Sequence, residues 1–186
     1  MKSDKKELYA LILDVLPMTA GDPRRPQFKK EPIVQAVGTE QFKLLELVPK
    51  VADVNVNDKV YIGDKARDKI EKVKRRIGYA DLTQTAKLEL PYAVEHIVTE
   101  NEGKFVDFFN KAVPITSKQH MLHLLPGVGK KILWEILEAR EKQPFTSFAD
   151  IAERVKSVPK PEQMIIKRVM EELEDPNVKY HVFTSK

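Results

Sequence analysis

The spacing of apolar residues changes once along this chain, near residue 64, and that change of period calls for two kinds of structure. From Glu7 to about Gly63 the runs ELYALILDVL, PIVQAVG and QFKLLELVP are strand-compatible, and the GTE segment between the last two suits a hairpin connection. Alternation in QFKLLELVP is imperfect, because Phe42, Leu44 and Val48 share one face while Lys43, Leu45 and Leu47 share the other. A strand covered on both faces, as in a small barrel, explains this. VNVNDKVYIG sets Asn57 and Asp58 before a fourth short strand with Val60 and Ile62, and KYHVF, Lys179 to Phe183, is a candidate fifth strand folding back from the C-terminus.

After Lys65 the spacing is helical. KARDKIEKVKRRIGYA holds seven basic against two acidic residues, with Ala66, Ile70, Val73 and Ile77 as a narrow apolar stripe, and is expected as a basic helix. Asp81 is a candidate cap for the next helix, Pro91 opens another, and Gly103 breaks the chain before the apolar cluster Phe105, Val106, Phe108 and Phe109. The spacing of that cluster places most of it on one face, as core. Beyond Val113 the pattern is two helix pairs. A Thr116/Gln119 capping box starts the first helix, Gly129 to Lys142 form the second, Thr146 or Ser147 caps a third, and Pro161 sits near the start of a fourth. The expected fold class is α+β. Residues 1–64 form a small β-barrel, of the oligonucleotide/oligosaccharide-binding (OB) or S1-like kind that short strands with polar turns suggest. Residues 65–112 form basic and apolar linker helices, 113–176 an all-helical domain and 177–186 a tail.

Composition narrows the function. No cysteine is present, which removes disulfides, thiolate metal sites and cysteine nucleophiles and makes a reducing cytoplasm the simplest setting. No apolar run approaches the ~20 residues of a membrane helix. The apolar stretch near the N-terminus is interrupted by Asp14 and reads as a strand, not a signal peptide. The net charge of +4 is mild, so a polyanionic partner must be argued from where the cations lie.

Two of them stand directly behind a break in the helical pattern at LLPGVGKK, Leu124 to Lys131. Pro126 ends one helix, Gly127 and Gly129 permit a tight turn, and the next helix starts with outward-pointing amides beside Lys130 and Lys131. Such a start is an anion site that fits one nucleic-acid phosphate. LLPGVGKKILWEI resembles the helix-hairpin-helix motif, and the resemblance implies sequence-independent binding of a nucleic-acid backbone by Gly127, Val128, Gly129, Lys130 and Lys131. The third and fourth helices, joined by SVPKP, resemble the degenerate second hairpin of a tandem helix-hairpin-helix domain. That loop lacks Gly-apolar-Gly, leaving Lys156, Lys160 and Arg168 as its candidate contacts. Through EPIVQAVGTEQFKLLELVPK, YADLTQTAKLELPYAVEHIV, FVDFFNKAVPIT and HLLPGVGKKILWEILEAREKQPFTSFADIAERV, most of the chain is similar to an uncharacterised archaeal family. That family joins an S1/OB-like barrel to a helix-hairpin-helix unit and is described as RNA- or nucleic-acid-binding.

Further cations lie in the loop with Arg24, Arg25, Lys29 and Lys30 and in the segment with Lys72, Arg75 and Arg76; each group is either a phosphate contact or a solvated surface. His120 and His123 have the i, i+3 spacing of a metal pair but lack a nearby carboxylate, so neither a metal nor another cofactor is expected. The expected protein is a non-enzymatic binder of RNA or DNA. One alternative is a protein-interaction adaptor, for which Trp134, exposed among apolar neighbours, would be the mark. The remote alternative is a DNA glycosylase/lyase using Lys131, with Asp150 at the spacing of its aspartate; this requires a lysine of lowered pKa and a base pocket.

Overall fold

The computed structural model describes residues 5–16 and 31–185. The chain divides into two compact units, one reaching Ala93 and taking in the C-terminal residues from Phe183, the other Val94–Val182. The first unit is an antiparallel sheet of β1 (Tyr9–Leu16), β2 (Ile33–Gly38), β3 (Leu44–Pro49), β4 (Lys59–Tyr61) and β5 (Ile70–Arg76), in the order β4-β1-β2-β3-β5. The sheet curls into a half-barrel, and among the described residues no ladder joins β4 to β5. Ala10, Ile12, Val34, Ala36, Leu45, Leu47, Val60 and Ile70 form its core. Leu11, Val37 and Leu44, on the alternate face, are buried too, which accounts for the broken alternation in β3.

The segment expected as a basic helix is the edge strand β5. Its pairing with β3 skips Glu71 and Lys74, so Ile70 opposes Pro49 and Val73 opposes Leu47. Each irregularity adds a residue, and two residues three apart thereby come to share one face, the spacing of a helix produced by a bulged strand. KYHVF is not a strand; β5 holds the place of the fifth. The tail is fixed by the Ser185 N–H to the Gln41 carbonyl (3.3 Å) and by Arg76 Nη2 to the Ser185 carbonyl (2.7 Å).

A polar row crosses four strands, with Asp14 opposite Gln35, Gln35 opposite Glu46 and Glu46 opposite Arg75. Gln35, 2% exposed, donates to the Asp81 carbonyl (3.0 Å) and accepts from the Thr83 amide (2.8 Å), while Asp14 accepts from the Thr83 hydroxyl (2.6 Å). That hydroxyl also accepts from the Ala86 amide, so Thr83 and not Asp81 caps α1 (Gln84–Glu100). Pro91, expected to open a helix, lies inside α1 on its exposed side, where the lost amide leaves a carbonyl that water can satisfy. At the β2–β3 turn the buried Glu7 carboxylate accepts from the amides of Glu40 (2.6 Å), Gln41 (2.8 Å) and Lys43 (3.2 Å). Burial pushes this carboxyl up against the pull of those amides. A Cβ on Gly38 would stand 2.2 Å from Glu7 Cδ, so the clasp requires glycine there.

The second unit contains α2 (Glu102–Lys111), the small hairpin β6 (Pro114–Thr116) and β7 (Gln119–His120), a 3-10 turn at Met121–Leu124, α3 (Lys130–Lys142), α4 (Phe148–Arg154) and α5 (Pro161–Glu174). Phe105 and Phe109 are core, with Leu122, Leu125, Ile136, Ile151 and Ile165. Gly103 lies in the first turn of α2, and the break expected there falls at Asn101. The helix expected after Thr116 does not form. The Thr116 hydroxyl accepts from the Lys118 amide (3.3 Å), a turn that competes with a helical cap.

Glu7→Gln places an amide NH2 against backbone donors and should cost about 1 to 3 kcal/mol. A urea titration checks it: the midpoint should fall with the slope unchanged.

Candidate nucleic-acid interface

The turn before α3 is built from one conformational requirement and several buried anchors. The Val128 amide donates to the Leu125 carbonyl (3.1 Å), and Gly127 between them has φ +87°, a left-handed value that disfavours a side chain. Leu122, Leu125, Val128 and Leu133 are buried and hold the turn in place. Gly129 differs from Gly127: its φ of −89° and ψ of −172° suit any residue, and a Cβ there would meet nothing within 4 Å. The fold does not require the second glycine.

Gly129 is the N-cap of α3, whose first bond runs from the Leu133 amide to the Gly129 carbonyl (2.9 Å). The amides of Lys130, Lys131 and Ile132 precede that bond and point out along the axis. Lys130 and Lys131 are exposed at the first two positions, and no acidic residue lies in that turn. Helices α2, α4 and α5 each place an acid there, Glu102, Asp150 and Glu162, as the helix dipole favours. In α3 the sign is reversed. Lys131 stands 3.9 Å from Glu135 with its side chain 87% exposed, a pair of little strength.

Two arginines not singled out by their sequence context brace this helix. Arg140 donates to the carbonyls of Phe109 (3.0 Å) and Ala112 (2.8 Å) at the end of α2. Arg154 donates to the carbonyls of Ala139 and Gln143 (2.6 Å each) at the end of α3, pairs with Asp150 (3.1 Å), and lies over the Phe145 ring. Asp150 also accepts from the Thr146 amide (3.0 Å); against the upward push of burial, that amide and Arg154 hold its carboxyl below the usual range. The i, i+4 spacing of Asp150 and Arg154 was a readable signal, whereas the carbonyls of α3 that Arg154 reaches were not.

His120 and His123 act as a reciprocal cap. His120 Nδ1 accepts from the Leu122 amide (3.1 Å), and His123 Nδ1 accepts from the His120 amide (3.0 Å). Among the described residues no group of three potential metal ligands occurs. Burial, with Arg140 and His123 nearby, holds the His120 imidazole below its usual value.

The remaining candidate cations differ in how freely they could meet a ligand. Arg24, Arg25, Lys29 and Lys30 lie outside the described residues. Lys72, Arg75 and Arg76 share β5 with their charges engaged: Lys72 with Glu31 (3.0 Å), Arg75 with both oxygens of Glu46 (2.7 and 3.0 Å), and Arg76 with the Ser185 carbonyl. Arg168 is buried against Glu172 (3.0 Å) and the Tyr180 carbonyl (2.6 Å), so its guanidinium is engaged in bracing α5 against the chain that follows. Lys156 and Lys160 are exposed.

A family model described as a protein of unknown function (DUF655) matches residues 6–185. An uncharacterized protein of Methanocaldococcus jannaschii, MJ0038, is 46% identical over 184 residues, covering 98% of this chain and 82% of the relative. The crystal structure of Af1531 from Archaeoglobus fulgidus, also of the DUF655 family, shares 48% identity and superposes with a TM-score of 0.85 over 96% of this chain and all of that one. Among the described residues no helix is long and apolar enough to cross a membrane.

Gly127→Ala should cost about 1 to 2 kcal/mol, read by thermal unfolding, because φ is positive there. Burial makes His120 take up a proton less readily in the fold than in the unfolded chain, where the ordinary value is about 6.5. Its contribution is therefore complete above that pH and is lost as pH falls below it, and denaturant midpoints at pH 7.5 and 5.5 should differ less in His120→Asn.

Proposed function

The chain belongs to the DUF655 family, and for this member we propose sequence-independent binding of a nucleic-acid backbone, RNA or DNA, with one phosphate seated on the amides that open α3. The observation that carries this reading is the reversed charge of that helix start. Two lysines there oppose the helix dipole by about 0.3 to 1 kcal/mol each at low salt. A bound anion turns the same arrangement into an attraction, since amides, dipole and both ammonium groups then act on one negative charge. Gly129 supports it independently: the fold leaves room for a side chain, and the missing Cβ leaves room for a ligand.

On this reading the turn with Gly127, Val128 and Gly129 is the hairpin of a helix-hairpin-helix whose first helix is shortened to the 3-10 turn at Met121–Leu124, and α4 with α5 is its degenerate companion, with Lys156 and Lys160 as outlying contacts. The curled sheet is an OB/S1-like barrel left open between β4 and β5. Lys72 can exchange its exposed partner for a phosphate at small cost. Arg75 is committed to the nearly buried Glu46. A non-catalytic role fits the remaining polar groups, because Lys131 lies in solvent and Asp150 is occupied by Thr146 and Arg154. A Schiff-base lysine needs the opposite, a desolvated amine.

Lys130→Glu/Lys131→Glu should leave the fold intact or slightly more stable while sharply weakening binding at low salt. The slope of log affinity against log salt should also fall by up to about 0.7 to 0.9 for each phosphate that is no longer neutralised. Gly129→Ser supplies a good N-cap hydroxyl and should keep stability while reducing affinity. Unchanged affinity in both variants, measured by fluorescence anisotropy with labelled oligonucleotides, overturns the proposal.

A further inference from the structure

Trp134, the chain's single tryptophan, is 62% exposed on α3. An indole buries roughly 150 to 250 Å² when covered, so leaving one in water forgoes a large gain. Three of its four helical neighbours are charged: Lys130 and Lys131 precede it by one turn, and Glu138 follows by one turn and pairs with Lys142 (3.0 Å), while the fourth, Leu137, is half-buried. A hydrophobic docking face would surround the indole with exposed aliphatic side chains, and on α3 Trp134 is the large apolar residue that stands exposed.

Position along the helix is informative. The Cα–Cβ bond of a helical residue tilts toward the N-terminus, so Trp134 covers the turn that carries Lys130 and Lys131. Four residues of α-helix advance about 6 Å along the axis. An aromatic plane thus lies about one turn from the amides, on the side with the cations. Phosphate held at the helix start and an aromatic plane beside it match the two ends of one nucleotide, and a base can reach that plane only when it is free of a duplex stack.

We propose that Trp134 stacks on an unpaired base whose strand is held by its phosphate at the start of α3, so that the site takes single-stranded nucleic acid in preference to duplex. This rests on the backbone-binding function proposed above and adds the class of strand.

The single tryptophan makes the test direct. The full chain is titrated at low salt with a fluorescein-labelled oligothymidylate and with a labelled blunt duplex, following label anisotropy and, with unlabelled strands, tryptophan emission. The single strand should quench Trp134 emission. Trp134→Ala should lose about 5- to 150-fold in affinity for it, the range for one stacked base, with duplex affinity unchanged and Trp134→Phe recovering most of the loss. Because the side chain is exposed, the thermal midpoint of both variants should stay with the parent's. Single-strand binding that neither quenches Trp134 nor weakens in Trp134→Ala overturns the stacking assignment and leaves the backbone reading standing. Absence of binding to either nucleic acid overturns both. A Trp134→Ala variant that loses self-association in sedimentation while keeping its strand affinity also overturns the assignment, and marks the indole as a protein contact.

Discussion

The helical unit depends on the guanidinium of Arg154. Helices end with unsatisfied carbonyls, and a short connection such as 143–147 cannot hide them in a further helix. Arg154 supplies planar, permanently charged donors to Ala139 and Gln143, keeps its charge matched by Asp150, and covers the Phe145 ring with its plane. One side chain at the end of α4 thereby fixes the end of α3. Arg140 does the same from α3 to the end of α2. With its far end anchored in this way, the other end of α3 can carry a charge arrangement that its own dipole disfavours.

The sheet unit uses a different device. Its polar row, Asp14, Gln35, Glu46 and Arg75, runs across strands in register and offers hydrogen-bonding groups beside the buried Leu11, Val37 and Leu44 of the same face. Asp81 and Thr83 take up those groups, and Thr83 then caps α1. Arg75 belongs to that row as much as to any surface. The number of cations in β5 therefore overstates the charge it presents, because bidentate pairing to Glu46 is far stronger than the exposed pair of Lys72 with Glu31.

The two glycines of the turn before α3 differ in what the fold asks of them. Gly127 answers a backbone demand visible as a positive φ, whereas Gly129 answers none. Local rules are kept at Gly127 and relaxed at the start of α3, where a glycine without a conformational reason and lysines of the wrong sign coincide, and the proposed phosphate seat rests on that coincidence.

Local sequence pattern was enough for the Gly-Val-Gly turn, a cap at Thr146 or Ser147, the proline at the start of α5 and the aromatic core of α2, because each depends on neighbours within a few positions. The change from strands to helices expected near residue 64, by contrast, falls only after β5. The cations beside Gly127 and Gly129 were legible for the same reason, since a turn followed by a helix start needs no distant partner. That residues 70–76 are a strand was settled by packing. The irregularity at Glu71 gives Ile70 and Val73 a helix-like spacing, and the free edge of β3 selects between conformations that the local pattern leaves equal. The same holds for Glu7, Gln35, Arg140 and Arg154, whose partners are amides and carbonyls remote in sequence. Backbone groups carry no residue identity, so a side chain that serves them leaves no partner to read in the sequence.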